Sequence, residues 1–547
     1  MSSLQKLGRF MRTVAPLRSA QITNRLMRRV FRPKPSQPML LPLRGLGNLD
    51  FMPGHESPLV SGTTFRFLNR EETLSFPADW DNEDLPLLWR YNLHYFDALM
   101  APDLACQEKA SLVTRWIEEN PTDINVGWDP YPLSLRIVNW VKWFLQGNEP
   151  TTEMLESLYQ QADFLEHTVE FHLLGNHLLE NAKALLFAAS YFEGPHALRW
   201  LDLAVPVLQA ELEEQILADG AHFELSPMYH SIMLELVLDL IVLARAEKTP
   251  VDVKALLPLL TEKARSMADW LSGMVHPDGE ISFFNDASIG IAKAPALLLA
   301  ETAKLTGWSP PAAQSVQHFK ASGYMRAEKG PAVLFFDAAA IGPSYLPGHG
   351  HADALSLELS LFGQRVITNV GTSEYGLGER REYERSTPAH STVTIGGENS
   401  SETWAGFRVG RRARIIRANS ADTSVAATLE GAHDGYRYMP GKPVHARTAV
   451  LTADSLTIRD TVTVTGAKAV SRFHFHPDVA LVCHDGGTSG TLTLPCGKVI
   501  DWTAAAESVS LEPFLYAEHF GVLRPTQTLC LNSHSQETSE LRLHWRQ

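Results

Sequence analysis

Three short stretches of the sequence place ionisable side chains inside otherwise apolar surroundings. The most unusual is 348–356, where His349, His351 and Asp353 alternate directly ahead of a strand-like segment. Side chains two residues apart on an extended segment point to the same side, and His390 precedes a second such strand. Two imidazoles and an oxygen donor are ligands that zinc accepts. The stretch therefore predicts a metal or acid–base site, with a turn bearing surface histidines as the alternative.

The second stretch is Leu-Gly-Asn-His-Leu-Leu-Glu-Asn at 174–181. On a helix, Asn176 and Glu180 are four residues apart and His177 and Glu180 three apart, so one face collects an amide, an imidazole and a carboxylate. This predicts either a polar site or helix capping with a polar pair against the next helix.

The third stretch, 219–230, places Glu224, Ser226, Tyr229 and His230 in a turn that leads into an apolar helix. A tyrosine in this position either lines a cleft or fills the core with its hydroxyl group hydrogen-bonded. Taken alone, the pattern favours neither of these interpretations.

The elements that position these stretches change type along the chain. Apolar residues recur at intervals of three and four between about 92 and 310, which predicts helices at 153–170, 198–217, 229–247 and 253–275. After about 325, short segments of strand-like composition alternate with turn residues. We therefore predict an α+β protein with a basic segment at 1–45, a helical domain at 46–320 and an antiparallel β-sandwich at 321–547.

Composition is that of a globular protein: 547 residues, 44% hydrophobic and 20% charged. The formal net charge of −14 argues against nucleic-acid binding. Residues 1–45, however, carry ten basic side chains and no acidic one. This head is either a solvated helix or a surface helix for peripheral contact with anionic lipid or an acidic partner.

No segment of the sequence reads as a transmembrane span or as a convincing secretory signal. The longest apolar run, 232–244, is interrupted by Glu235 and Asp239, as expected of a helix in a soluble core. The basic head lacks a continuous apolar stretch and a small-residue cleavage site. A cytoplasmic or membrane-peripheral location is therefore favoured, with the periplasm as the alternative.

The three stretches together resemble the heparinase II/III and alginate lyase group of polysaccharide lyases. The matching pieces are Gly-Asn-His-Leu-Leu-Glu at 175–180, Glu-Leu-Ser-Pro-Met-Tyr at 224–229 and His-Gly-His-Ala-Asp-Ala-Leu-Ser at 349–356. Segments 370–375 and 385–393 follow in the same order. The resemblance implies an incomplete (α/α) toroid followed by an antiparallel β-sandwich, in agreement with the observed change of periodicity.

The resemblance also implies a reaction, β-elimination across a glycosidic bond beside a uronic acid. The C5 proton is poorly acidic while the neighbouring carboxylate is charged, so the site must neutralise that charge. By resemblance Asn176, assisted by His177, does this. Tyr229 is implied to be the acid, or both acid and base, with His349 as the second acid–base group. A tyrosine base would need cationic neighbours, which His177, His230 and His349 could supply.

Metal and sugar ligands are implied in the same way. His351 and His390 match positions that hold a structural zinc ion, but Asn369 stands where metal-binding members carry an aspartate, which weakens the site. No organic cofactor is expected. The predicted sugar and carboxylate contacts in the groove between the domains are Asn92, His94, Trp128, Tyr131, Arg136 and Arg385. Further predicted substrate-binding residues are Glu180, His230 and Tyr375. Trp128 and Tyr131 read equally well as core aromatics.

The leading hypothesis is thus a lyase acting on an acidic, uronate-containing bacterial polysaccharide, linked to surface-polysaccharide metabolism. One alternative is a glycan-binding or assembly protein of such a pathway that has kept the fold without turnover. Another is a glycoside hydrolase that uses carboxylates such as Glu180 and Glu224.

Overall fold

The computed structural model describes residues 3–120, 125–463, 466–484, 486–534 and 538–546. Helices dominate the first part of these ranges and strands the second. The last long helix ends at Thr306 and the first strand of the larger sheet begins at Val316, so the change from helix to strand falls between them.

The helices of the described ranges follow the predicted three- and four-residue spacing. They are α1 (Ser3–Val14), α2 (Ser19–Val30), α3 (Leu87–Tyr95), α4 (Cys106–Glu119), α5 (Pro130–Leu145), α6 (Thr152–Thr168), α7 (Gly175–Tyr191), α8 (Pro195–Gln215), α9 (Pro227–Arg245), α10 (Val251–Ala255), α11 (Leu257–Gly273), α12 (Pro295–Thr306) and α13 (Glu379–Glu384). From α3 to α12 they pack in succession around one apolar core. Helices α7 and α9 are buried on almost every side, which is why their composition is apolar all round.

Helix α9 is long and apolar enough to cross a membrane by length and composition alone. In this structure 83% of its apolar window is buried inside the protein. Such burial is that of a core helix, as the interrupting Glu235 and Asp239 predict.

The strands of the described ranges alternate buried and exposed side chains or, at the domain centre, are buried on both faces. They are β1 (Leu59–Ser61), β2 (Thr64–Phe67), β3 (Arg70–Thr73), β4 (Val316–Phe319), β5 (Tyr324–Lys329), β6 (Ala332–Asp337), β7 (Leu357–Leu361), β8 (Gln364–Thr368), β9 (Val393–Ile395), β10 (Thr403–Trp404), β11 (Arg408–Val409), β12 (Ile415–Asp422), β13 (Ala426–His433), β14 (His445–Thr452), β15 (Ser455–Val462), β16 (Lys468–Phe475), β17 (Ala480–Cys483), β18 (Ser489–Thr493), β19 (Val499–Ala505), β20 (Ser508–His519), β21 (Val522–His534) and β22 (Thr538–Trp545). The small sheet β1–β3 lies inside the region predicted to be helical.

Two large antiparallel sheets form the C-terminal part. Among the described strands, one sheet has the order β12-β13-β14-β15-β22-β19-β18-β17, and the other runs β20-β21-β16-β8-β7-β6-β5-β4 with β9 paired to β16. Leu359 and Phe473 from the second sheet share one apolar core with Leu451 and Leu541 from the first. The two sheets therefore pack face to face, which is a β-sandwich.

Candidate active site

At the start of α7, Gly175 and Asn176 lie against residues of the third stretch and of the β domain. Gly175 has a φ of +62°, and a Cβ there would lie 2.3 Å from Leu346 Cδ2 and 2.9 Å from Glu224 Oε1. Only glycine fits this position without strain. The close approach lets the side-chain amide of Asn176 donate to Glu224 Oε1 at 3.0 Å, so the helix start and the third stretch are joined.

His177 lies at the edge of the site with a half-buried side chain. Its Nδ1 is 3.0 Å from Glu170 Oε2, and its ring lies 4.4 Å from the ring of Tyr131. Burial lowers the pKa of His177, but the carboxylates of Glu170, Glu224 and Glu180 outweigh it and the net pKa is raised. The imidazole therefore carries positive charge at a higher pH than an ordinary histidine.

Helix α9 begins at the site and presents Tyr229 there. Ser226 caps the helix by accepting the Tyr229 amide at 3.1 Å, and its hydroxyl donates to the backbone carbonyl of Asp286. The Tyr229 hydroxyl is 3.1 Å from that of Tyr375, and its ring stacks on His349 at 3.9 Å between centroids.

The centre of the site is a carboxylate that the sequence analysis missed. Asp286 is buried between the two domains, where its Oδ2 accepts from His349 Nδ1 and its Oδ1 from His351 Nε2, both at 2.8 Å. Arg381 of α13 pairs with both oxygens. Burial raises the pKa of Asp286, but Arg381 and the two histidines outweigh it and hold that pKa well below the usual range. The group is thus a fixed anion.

This carboxylate orients His349. With Nδ1–H donating to Asp286, the neutral form of the imidazole has its acceptor at Nε2. That Nε2 lies 3.5 Å from Glu224 Oε2, beyond a good hydrogen bond, and Glu224 Oε2 has no partner among the described residues. His349 is therefore fixed through Nδ1 by Asp286, its Nε2 faces Glu224, and its ring lies against that of Tyr229.

Of the two possibilities implied for Tyr229, acid alone or both acid and base, its surroundings favour the acid. Burial, Tyr375 and the carboxylate of Asp286 raise the pKa of Tyr229 well above its ordinary value. The proposed cation His230 is fully buried, with Nδ1 accepting from the His222 amide and Nε2 3.0 Å from the Met267 carbonyl. Burial also lowers the pKa of His230 to about 3, so it is neutral and contacts no substrate. Tyr229 is a phenol, suited to donate a proton.

Three predicted sugar contacts lie in the helical core instead. His94 accepts the Trp116 indole N–H and contacts the Trp80 carbonyl with its other nitrogen, and Arg136 is buried above the Trp116 ring. Trp128 packs on the same indole. The substrate-binding prediction for His94, Arg136 and Trp128 is wrong because each is enclosed by protein.

Two further predictions are corrected in the same way. Arg385 is 1% exposed and donates to backbone carbonyls, among them those of Gly350 and Gly406, so it holds the loop that carries His349. Glu180 is 2% exposed and lies 3.9 Å from Lys183. Asn92 is half-buried and donates to the Leu88 carbonyl of its own helix, and its substrate contact stays a prediction.

The predicted zinc ligands do not assemble into a site for that ion. His351 Nδ1 and His390 Nε2 lie 3.2 Å apart, but the Asn369 side-chain oxygen accepts from the Ser391 amide at 3.0 Å. In the described part of the chain, no third histidine, cysteine or acidic ligand joins this pair within 4.8 Å. Structural zinc needs three or four protein ligands, and the residues present do not fit it.

One other group of potential metal ligands lies away from the site. Asp163, Glu166 and His167 come within 4.8 Å of one another. Arg199 pairs with Glu166 at 3.1 Å and with Asp163 at 3.5 Å. A cation already balances these carboxylates, so the group reads as a surface ion-pair cluster.

The close fit at Gly175 makes a first prediction. Gly175→Ala should lower kcat/KM by about a hundredfold, because its Cβ displaces Glu224 and the start of α7. Gly194→Ala is the control, since Gly194 also has a positive φ, at +103°, but has nothing within 4 Å of a new Cβ. Both variants carry backbone strain of roughly 1–2 kcal/mol. Equal activity losses in steady-state assays of the two variants would contradict this assignment.

Comparison with known proteins places this geometry in context. Two sequence profiles match: "Heparinase II/III N-terminus" over residues 106–304 and "Heparinase II/III-like, C-terminal" over residues 311–544. The solved structure of heparinase III superposes with a TM-score of 0.65 at 18% identity, covering 86% of this chain and 79% of that one. At this identity the likeness establishes a shared fold.

Two curated relatives differ in what their names describe. A heparin-sulfate lyase of Pedobacter heparinus is 27% identical over 329 residues, which are 53% of this chain and 48% of the relative. FtsZ-localized protein C of Caulobacter vibrioides is 24% identical over 491 residues, 83% of this chain and 81% of the relative. The match thus spans about half the length of the lyase and most of the second protein.

Proposed function

Because this chain belongs to the heparinase II/III family, we propose that it is a polysaccharide lyase acting by β-elimination on an acidic, uronate-containing bacterial polysaccharide. The substrate lies in the groove between an incomplete (α/α) toroid and the β-sandwich, and belongs to surface-polysaccharide metabolism. The relatives of this chain include heparin-sulfate lyases.

One observation carries the proposal: a base and an acid stand side by side in ring contact. His349, held through Nδ1 by Asp286 at 2.8 Å, stacks at 3.9 Å on Tyr229. Elimination needs a base to remove the C5 proton and an acid to protonate the leaving O4, and either two groups or one group acting twice can do this. The orientation of His349 and the raised pKa of Tyr229 assign the base to His349 and the acid to Tyr229.

The developing charge on the uronate is balanced at the start of α7. Asn176 donates one amide hydrogen to Glu224 and has a second for the substrate carboxylate. His177 adds a positive charge that Glu170 sustains. Together they supply donors aimed at the carboxylate as it gains electron density.

The charge on His177 predicts a pH dependence of KM. The pKa of His177 in the folded protein is raised above the unfolded value of about 6.5. The imidazolium is therefore fully present below a pH of about 6.5 and is lost as the pH rises through the folded pKa. KM for an acidic substrate should then rise roughly tenfold, since a hydrogen bond to a charged group contributes about 1.5–3 kcal/mol. His177→Asn should show the high KM at every pH. A wild-type KM that does not change as the pH rises from about 6.5 through the folded pKa of His177 would contradict the assignment.

A second candidate is a binding protein that keeps the site without turnover. It is favoured by the long match to FtsZ-localized protein C, whose name describes a location rather than a lyase activity. A glycoside hydrolase receives less support, because Glu180 is buried away from solvent.

The two candidates are separated by incubating the purified chain with a panel of uronic-acid polymers and recording ultraviolet absorbance. Elimination creates a conjugated double bond that absorbs, while binding creates none. We expect a signal with wild type, and a rate about 10²–10⁴ lower with His349→Gln. Calorimetric binding of a polymer that yields no absorbance would establish the binding protein instead.

A further inference from the structure

The first two helices are amphipathic, and both present their apolar stripe to solvent. In α1, Leu4, Leu7 and Met11 follow one another at intervals of three and four, and in α2 Ile22 and Leu26 do the same. Together with neighbours on the same faces, the exposed apolar side chains are Leu4, Leu7, Phe10, Met11, Ile22, Leu26, Met27, Val30 and Phe31. Val30 is 88% exposed and Leu4 81%.

The opposite, polar face of α1 is the one that contacts the protein. Arg12 donates to both carboxylate oxygens of Glu402, the Arg9 guanidinium lies 4.5 Å over the Trp404 ring, and the Trp404 indole donates to Thr13 at 3.2 Å. These contacts attach α1 to strand β10 and to Glu402 directly before it.

Helix α2 is attached in the same manner to both domains. Gln21 is buried and donates to the Tyr345 carbonyl at 3.3 Å, and Arg28 donates to the Thr168 carbonyl at 3.3 Å. A surface helix of a soluble domain normally turns its apolar stripe inward. Here both helices do the reverse, and their polar contacts fix that orientation.

Basic side chains lie beside the exposed apolar stripe of α1 and α2. Lys6, Arg25, Arg29 and Arg32 are exposed, and among the described residues no carboxylate lies within ion-pair distance of them. The first 45 residues contain no acid at all. An apolar face bordered by unpaired cations fits the headgroup region of an anionic bilayer, where alkyl groups enter the interface and cations remain with the phosphates.

We propose that α1 and α2 form a docking surface for anionic phospholipid membranes, with the apolar stripe inserted and the polar face still attached to the two domains. Two short helices supply the pair of signals, buried alkyl groups and basic charge, that stable peripheral attachment requires. The proposal is independent of the lyase activity, since no residue of the stripe lies in the site.

The test is flotation of the full-length protein with vesicles of phosphatidylcholine and phosphatidylglycerol, and with phosphatidylcholine alone. We expect wild type to float with the anionic vesicles and to be released by salt. Leu7→Glu/Leu26→Glu should reduce the bound fraction more than about tenfold, since each buried leucine contributes roughly that factor. Leu198→Glu/Val425→Glu, at equally exposed positions on the body, should float like wild type.

Several outcomes would overturn the proposal. Wild type that stays at the bottom of the gradient with anionic vesicles would do so, as would a Leu7→Glu/Leu26→Glu variant that floats unchanged. A wild-type dimer in light scattering that becomes a monomer in this variant, without vesicle binding, would assign the stripe to a second copy of the chain. Thermal melts of both double variants, expected to match wild type, confirm that folding is intact.

Discussion

Tyr229→Phe should lower kcat by about 10²–10⁴ while leaving KM nearly unchanged, because proton transfer to the leaving oxygen is made only in the transition state. Tyr229 is held for this role by the Ser226 cap, the Tyr375 hydroxyl and the ring of His349. Steady-state rates of ultraviolet absorbance on an acidic polymer measure the effect.

A matched control is Tyr436→Phe, which removes the hydroxyl of another buried tyrosine, one that donates to the Val393 carbonyl at 2.7 Å in the β domain. This variant should lose about 1 kcal/mol of stability and keep its kcat. A Tyr229→Phe enzyme with wild-type kcat would exclude Tyr229 as the acid, and Tyr375 would be the next hydroxyl to test.

Asp286→Asn should damage both stability and catalysis. The substitution leaves Arg381 buried without its anion, and breaking a buried ion pair in this way costs about 3–5 kcal/mol. An amide also cannot accept from His349 and His351 as the carboxylate does, so the orientation of the His349 ring is no longer fixed. We expect kcat to fall by about 10²–10⁴ per folded molecule, measured with denaturant unfolding and rate assays on the same samples.

Asp460→Asn separates these two effects. Asp460 accepts from His445 at 2.8 Å and from Arg447 at 2.7 Å, so it is a buried carboxylate between a histidine and an arginine like Asp286, but it accepts from neither His349 nor His351. This variant should lose similar stability and keep its kcat. If Asp286→Asn also kept its kcat, the assignment of Asp286 as the positioning residue for His349 would be wrong.

The sequence allowed the helical and strand-rich regions to be predicted because their periodicities differ. Polar side chains inside apolar runs drew attention to Asn176, His177, Tyr229 and His349, but the pattern alone left structural alternatives open, and only the family resemblance implied their roles. Asp286 went unnoticed because it follows a short apolar segment in what reads as an ordinary turn. Its importance comes from partners 63 to 95 residues away, which no local pattern encodes.

The incorrect predictions of substrate contacts share one physical cause. A histidine or arginine on an apolar helix gives the same pattern whether it faces a cleft or an internal network. For His94 and Arg136 the decisive information is that backbone carbonyls and the Trp116 ring enclose them. The protonation state of Tyr229 was likewise beyond sequence, because it depends on burial and on the carboxylates around the site.

The central claim is that this site breaks its substrate by elimination, with His349 as base and Tyr229 as acid. The most direct measurement is mass spectrometry of the cleaved ends after reaction in water labelled with heavy oxygen. If the assignment holds, the new non-reducing ends should be one water lighter than those of hydrolysis, the new reducing ends should carry no more label than an uncleaved reducing sugar kept in the same water, and both kinds of end should be lost in Tyr229→Phe. New non-reducing ends of full mass, with reducing ends labelled above that control, would show hydrolysis and would exclude the assignment.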